Sequence, residues 1–91
     1  MTAEEIASQL HQLHRAIIDI GDGMELKAEW FDHSNQLIGV IKTRAGVIPM
    51  PTQYILAYGK DGKYVVLQTR EQACEAFAKN VKRVIGKLIT G

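Results

Sequence analysis

The hydrophobic periodicity of this 91-residue sequence changes twice, and that change restricts its fold more than any other feature. Apolar residues first recur at spacings of four and three, then alternate with polar residues, and finally return to the helical spacing. The pattern predicts an α+β domain with a helix at each end and antiparallel strands between them. A chain of this length is expected to form one domain, spanning residues 1–91.

An amphipathic helix is predicted at the start of the chain. Thr2 and Glu5 have the spacing of a capping box, in which each side chain accepts a hydrogen bond from the other residue's backbone N–H. The apolar residues that follow form one helical stripe: Ile6, Leu10, Leu13, Ile17 and Ile20. Because Gly21 opens a Gly-Asp-Gly turn cluster, we expect the helix to end there.

Four strands are predicted between the helices. Residues 24–30 alternate strictly between apolar and polar side chains, in a predicted strand that ends at Phe31, where an apolar side chain breaks the polar face. Residues 36–44 place apolar side chains on both faces. Residues 45–52 contain two prolines and are predicted to be a loop, and residues 53–58 and 63–68 should form a hairpin around an Asp-Gly pair. We expect a four-stranded antiparallel meander with both helices on one face, in the order α-β-β-β-β-α.

A second amphipathic helix is predicted to begin at Thr69, which forms another capping box with Gln72. Its apolar stripe consists of Ala73, Phe77, Val81, Val84 and Leu88. Its basic residues concentrate towards the C-terminal end: Lys79, Lys82, Arg83 and Lys87. Cations there complement the negative end of the helix dipole, so this basic face has a structural explanation as well as a functional one.

The sequence contains no complete catalytic or metal-binding motif. Cys74 is the only cysteine and borders the apolar stripe of the last helix, so we expect it to be a buried core residue. His11 and His14 are neighbours on the predicted first helix, but a zinc site needs three or four protein ligands. There is no serine elbow and no glycine-rich phosphate loop. We therefore predict no metal, no cofactor and no enzymatic activity.

Apolar side chains exceed what one face of a small sheet can bury, and this excess is the main functional signal. If the helices cover one face, part of the strands and of the proline-containing loop must be exposed or lie in an interface. The residues predicted to form a protein interface are Phe31, Ile38, Val40, Ile48, Met50, Tyr54 and Tyr58. This prediction favours a protein-binding module, either a homodimer or a domain that docks onto a larger assembly.

Basic residues suggest an alternative function in nucleic-acid binding. The candidate contacts to nucleic acid or to an acidic partner are Lys42, Arg44, Lys60, Lys63, Lys79, Lys82, Arg83 and Lys87. The helix–sheet–helix order is similar to that of double-stranded-RNA-binding domains, which run α-β-β-β-α. This sequence departs from their pattern in having an extra strand and a nearly neutral start to the last helix, at residues 70–73.

Charge is distributed unevenly along the chain. Residues 1–32 carry seven acidic and two basic side chains, a net −5, whereas residues 33–91 carry three acidic and nine basic ones, a net +6. Such a surface would suit a phage accessory protein of the anti-CRISPR type, an inhibitor that occupies the surface of a protein–nucleic-acid complex. The sequence shows neither a signal-peptide pattern nor an apolar run long enough to span a membrane, so we predict a cytoplasmic protein.

Overall fold

The computed structural model describes residues 1–90. Two helices flank seven strands, which confirms the predicted α+β class with a helix at each end. The elements in chain order are α1 (Ala3–Gln12), β1 (Arg15–Gly21), β2 (Met24–Phe31), β3 (Gln36–Thr43), β4 (Gly46–Pro49), β5 (Gln53–Tyr54), β6 (Leu56–Tyr58), β7 (Tyr64–Val66) and α2 (Arg70–Thr90).

The predicted extent of the first helix is wrong, because α1 ends at Gln12 and the following residues form strand β1. Strand β1 pairs antiparallel with β2 through a two-residue turn at Asp22 and Gly23, whose φ angles are 53° and 75°. Positive φ at both positions is the geometry of a tight hairpin turn, and Asp-Gly is a preferred pair for it. The adjacent isoleucines at 17 and 18 are β-branched, which also favours a strand.

The main sheet has five strands rather than four. Strands β1 to β4 form a meander, and β5 pairs with β3 beyond the end of β4. The segment predicted to be a proline loop therefore contributes β4 to the sheet, and Pro49 lies on the outer strand, where its missing N–H removes no ladder hydrogen bond. The predicted strand over residues 53–58 is divided, because β6 leaves the main sheet and pairs only with β7.

Both helices pack on one face of the main sheet, and the hydrophobic core lies between the helices and that face. The two helices are antiparallel: Arg70, at the start of α2, donates to the carbonyl of His11, at the end of α1, and Lys82 donates to the carbonyl of Met1. Both predicted capping boxes are present. The Thr2 backbone N–H that donates to Glu5 lowers the pKa of that carboxyl group.

Trp30 and Gly39 determine how closely the helices approach the sheet. Trp30 is fully buried, and its indole N–H donates to the carbonyl of Leu10 at 2.8 Å. The guanidinium of Arg70 lies 4.2 Å from the centre of the Trp30 ring system. Gly39 provides the space for the ring of Phe77 on α2, because a Cβ atom at Gly39 would lie 2.7 Å from Phe77 Cζ.

Candidate protein interface on the hairpin arm and the open sheet face

Residues 55–67, here called the hairpin arm, continue the outer edge of the main sheet away from the domain. At its base, Ile55 N–H donates to the carbonyl of Asn35 at 2.8 Å, and Leu67 N–H donates to the carbonyl of Ile55 at 2.7 Å. Gln68 closes the base by donating to the carbonyl of Tyr54 at 2.9 Å. Strands β6 and β7 then pair with each other alone, so both outer edges of the arm lack strand partners among the described residues.

The arm is apolar on both faces, which is unusual for an exposed hairpin. Val66 is 70% exposed, and Tyr58 and Tyr64 are each 69% exposed. The strand register places these three side chains and Leu56 on one face, and Ala57 and Val65 on the other. The rings of Tyr58 and Tyr64 contact edge to face, with their centroids 5.2 Å apart.

The tip of the arm is a hydrogen-bonded turn that joins the two strands. Gly59 N–H donates to the carbonyl of Lys63 at 2.7 Å, and Gly62 N–H donates to the carbonyl of Gly59 at 3.1 Å. Gly62 has a φ of 80°, the left-handed conformation that a three-residue hairpin loop needs before the second strand. The turn places Lys60 and Lys63 at the exposed end of the arm, beyond the aromatic pair.

The second apolar surface is the face of the main sheet opposite the helices, here called the open face. Cross-strand register brings Phe31, Gln36 and Tyr54 into one row of this face. A second row contains Lys27, Val40 and Pro49, and Ile38 lies between the two rows opposite Glu29. Four predicted interface residues therefore share one surface: Phe31, Ile38, Val40 and Tyr54.

Two predicted interface residues do not belong to an exposed surface. Met50 is only 5% exposed and belongs to the core, so its assignment to the interface is wrong. Ile48 pairs with Ile41 on the helix-facing side of the sheet and packs against the core, which removes it from the open face. Both errors follow from the loop prediction, because a strand in register with β3 turns these side chains inward. Tyr58 is exposed, but on the arm.

The predicted basic residues are dispersed over several parts of the molecule. Lys42 lies on the open face and Arg44 in the turn after β3, beside Gly23 of the neighbouring turn. On α2, Lys82 donates to a backbone carbonyl and Arg83 to the side chain of Asn80 at 2.9 Å. The others lie at the arm tip or on the exposed side of α2: Lys60, Lys63, Lys79 and Lys87. These positions do not form a single continuous row of cations.

A groove of about 620 Å³ lies between α1 and α2, and Cys74 is at its base. Glu4, Glu71 and Glu75 line it together with Lys79, so charges of both signs are interleaved there. The Cys74 thiol is buried as predicted, and desolvation raises its pKa from 9.0 to about 11. A thiol with so little thiolate at neutral pH is a poor nucleophile.

We expect Cys74 to react about a hundredfold more slowly with a thiol reagent at pH 8 in the folded protein than in urea. The raised pKa lowers the thiolate fraction, and burial blocks the reagent. Absorbance kinetics with a disulfide reagent measure the reaction rate.

The raised pKa of Cys74 also makes stability depend on pH. The protonated thiol contributes to the free energy of unfolding below pH 9, and this contribution is lost as pH rises from 9 to about 11.

A matched control for this reaction is Ser8→Cys in a Cys74→Ala background, because Ser8 is exposed and lines the same groove. Its thiol should react at nearly the same rate with and without urea. A fast reaction of Cys74 in the folded protein would contradict the core assignment.

The predicted helical pair of histidines does not form. His11 is on α1, but His14 follows the helix and its carbonyl accepts a hydrogen bond from Trp30 N–H at 3.0 Å. His33 lies in the β2–β3 turn, where it and Asp32 have φ angles of 55° and 53°. Within residues 1–90, no three histidine, cysteine or acidic side chains lie close enough to hold a metal ion. Neither helix is sufficiently long and apolar to cross a membrane over the same range.

The most exposed part of the candidate interface was missed at the sequence level. Tyr64, Val65, Val66 and Leu67 were assigned to a strand but not to a surface, although all four are exposed. Four consecutive apolar residues give a strand two apolar faces, and this is the signal that could have identified them. No protein-family model, curated protein or solved structure matches this chain.

Proposed function

We propose that this protein is a non-enzymatic protein-binding module that contacts its partner through the hairpin arm. The observation that carries the proposal is the arm's composition: a two-stranded hairpin whose opposite faces are both apolar and exposed. An isolated two-stranded hairpin is marginally stable in water, since it buries little apolar surface. A partner that covers one or both faces would supply the missing burial.

The arm is suited to docking because its base is fixed and its surface is aromatic. The hydrogen bonds from Ile55 to Asn35 and from Gln68 to Tyr54 connect the base to the main sheet, and the bond from Leu67 to Ile55 closes the hairpin at its base. Tyr58 and Tyr64 offer large side chains with few rotatable bonds, a residue type enriched at the energetic centres of interfaces. The partner chemistry that fits is an apolar groove with acidic residues near the position of Lys60 and Lys63.

Two narrower hypotheses remain predictions. An anti-CRISPR-type inhibitor would use the same arm to occupy a surface of a protein–nucleic-acid complex. A nucleic-acid-binding domain would instead use the cations of the arm tip and of α2. Apolar anchors favour the protein partner, since phosphate contacts need cations rather than valine and leucine side chains.

The decisive variant is Tyr64→Thr/Val66→Thr, which removes two exposed apolar side chains from one face of β7 while retaining residues that favour strands. We expect it to weaken binding to the natural partner by about 10- to 100-fold, because each of the two lost anchors contributes about 1 kcal/mol. The partner is identified by affinity capture from the source cell with quantitative mass spectrometry. Its dissociation constant for each variant is then measured by calorimetry with the purified partner.

The matched control is Lys60→Thr/Lys63→Thr, which changes two residues of the same arm but removes cations instead of apolar surface. We expect it to alter the dissociation constant less than about threefold at physiological salt. Equal binding by the Tyr64→Thr/Val66→Thr variant would overturn the proposal. A nuclease-sensitive partner, with affinity that falls steeply with salt and is lost in the lysine variant, would establish the nucleic-acid function instead.

A further inference from the structure

Strand β1 is an edge of the main sheet with no neighbour on its outer side among residues 1–90. Its side chains on the open face are Arg15, Ile17 and Asp19, and Ile17 is 62% exposed. Natural edge strands are commonly protected by proline, by charged side chains, especially lysine, by a β-bulge or by a covering element. Strand β1 has a register irregularity between Asp19 and Gly21, and its two charged side chains, Arg15 and Asp19, have opposite signs, so they can pair with a second copy instead of repelling it. Residues 15–19 contain no proline and no lysine, and their one exposed apolar side chain lies at the centre of the strand.

The hydrogen-bonding groups that point outward from β1 follow from its register. Trp30 N–H donates to the carbonyl of His14, and antiparallel pairs alternate between bonded and non-bonded positions. Residues 14, 16 and 18 therefore direct their backbone groups towards β2. The N–H and carbonyl groups of Arg15, Ile17 and Asp19 face solvent, and they are spaced as a further antiparallel strand requires.

The sequence of this edge is complementary to itself. If two copies of β1 pair antiparallel about Ile17, each Ile17 faces the same residue of the other copy, and Arg15 faces Asp19 at both ends. In this register the outward N–H and carbonyl groups of each copy face those of the other copy, so every hydrogen bond of the strand pair can form. If the register between the two copies shifted by two residues, Asp19 of one copy would lie opposite Ile17 of the other, and Arg15 would no longer face Asp19.

An unfavourable pair of like charges in the monomer favours binding of a second copy at this edge. Asp19 lies directly opposite Glu25 on β2, and like charges in that position are destabilising. Arg15 already pairs with Glu29 at 3.1 Å, but a guanidinium has five N–H donors and can serve a second carboxylate. The Asp19 carboxylate accepts a hydrogen bond from Gly21 N–H at 2.9 Å but forms no salt bridge within residues 1–90, and Arg15 of a second copy would supply one.

We propose that this protein forms a homodimer in which two β1 strands pair antiparallel about Ile17 and join the two main sheets into one. The second copy of this chain is the occupant because the Arg15–Asp19 match satisfies two-fold symmetry at both ends. This interface is separate from the hairpin arm, which stays free to bind the partner inferred above.

Amide hydrogen exchange at low and high protein concentration tests the register directly. In the dimer the amides of Arg15, Ile17 and Asp19 should gain protection as concentration rises, whereas those of Ala16 and Ile18 should be protected throughout. Sedimentation equilibrium should show the mass increasing from 10.1 kDa towards twice that value over a series that reaches about 1 mM. A monomer across the whole series would overturn the proposal.

Charge reversal separates the dimer from loss of folding. Arg15→Glu and Asp19→Lys should each weaken self-association at least about tenfold, because each variant opposes like charges at both ends. An equimolar mixture should recover association, since each end of the mixed dimer again has a cation opposite a carboxylate. Failure of the mixture to associate, while both variants remain folded, would overturn the register.

Ile17→Pro provides an independent block of the edge. Its missing N–H points outward, so the β1–β2 ladder should be retained while pairing with a second copy is lost. The Tyr64→Thr/Val66→Thr variant should leave self-association unchanged. If that arm variant abolishes the dimer and Ile17→Pro does not, the interface lies on the arm and the β1 proposal is wrong.

Discussion

Replacing Trp30 with alanine should lower the free energy of unfolding by about 3–5 kcal/mol, a large part of the 5–15 kcal/mol typical of a whole domain. Three contributions are lost together. The buried ring leaves a cavity between the sheet and the helices, the carbonyl of Leu10 loses its indole donor, and Arg70 loses the aromatic surface over which it lies. Urea denaturation followed by far-UV circular dichroism measures the change.

The matched control is Phe31→Ala, an adjacent aromatic residue of the same strand that points to the open face. We expect a loss of about 1 kcal/mol or less, because nearly half of that side chain is already exposed to water. Trp30→Phe should fall between the two, at about 1–3 kcal/mol, since it retains a ring but leaves the Leu10 carbonyl unpaired. If Trp30→Ala and Phe31→Ala lowered the free energy of unfolding equally, the assignment of Trp30 to the buried face of β2 would be wrong.

Gly39→Ala should destabilise the protein by about 1–3 kcal/mol, although alanine is ordinarily the better residue in regular structure. The added Cβ would lie 2.7 Å from the carbonyl oxygen of Lys27, 2.7 Å from Phe77 Cζ and 3.1 Å from Ala28 Cα. Two of these atoms belong to the backbone of the neighbouring strand, so the strand pair or helix α2 must shift. Thermal and urea unfolding of the variant measure this cost.

Gly86→Ala is the matched control: it makes the same chemical change but is expected to stabilise the protein. Apart from the backbone of its own helix and its chain neighbours, a Cβ at Gly86 would have no described atom within 4 Å, and the residue lies in an exposed part of α2. Alanine has the higher helix propensity, so we expect a gain of up to about 1 kcal/mol. A stabilising Gly39→Ala substitution would contradict the close approach of α2 to the sheet.

Local sequence predicts an element well where its periodicity or its capping residues fit only one type of secondary structure. The capping boxes at Thr2 and Thr69, the strand over residues 24–31 and the second helix all appear where they were expected. Residues 13–20 were mispredicted because their apolar spacing fits a helical stripe and a strand equally well. The Asp22–Gly23 pair was the local evidence for a hairpin, and the helix-stop interpretation of Gly21 obscured it.

The candidate interface was only partly predictable for a related reason. Phe31, Ile38, Val40 and Tyr54 were recognised as excess apolar surface, and register places them together on the open face. Register cannot be read from one strand alone, so the inward orientation of Ile48 and Met50 was not visible. The separation of β6 and β7 from the main sheet likewise depends on where β3 begins, because Tyr54 pairs with Gln36, the first residue of β3, and the residues after Tyr54 have no partner on that strand.

The sequence by itself determined the α+β class, both helix starts and the presence of surplus apolar side chains, since these follow from periodicity and capping within a few neighbouring residues. Only the tertiary structure decided that residues 15–21 are an edge strand, that the proline segment joins the sheet, and that residues 55–67 project as an arm. These features depend on pairing between residues far apart in the chain. Local preference at such positions is weaker than the free energy of completing a sheet and burying its face.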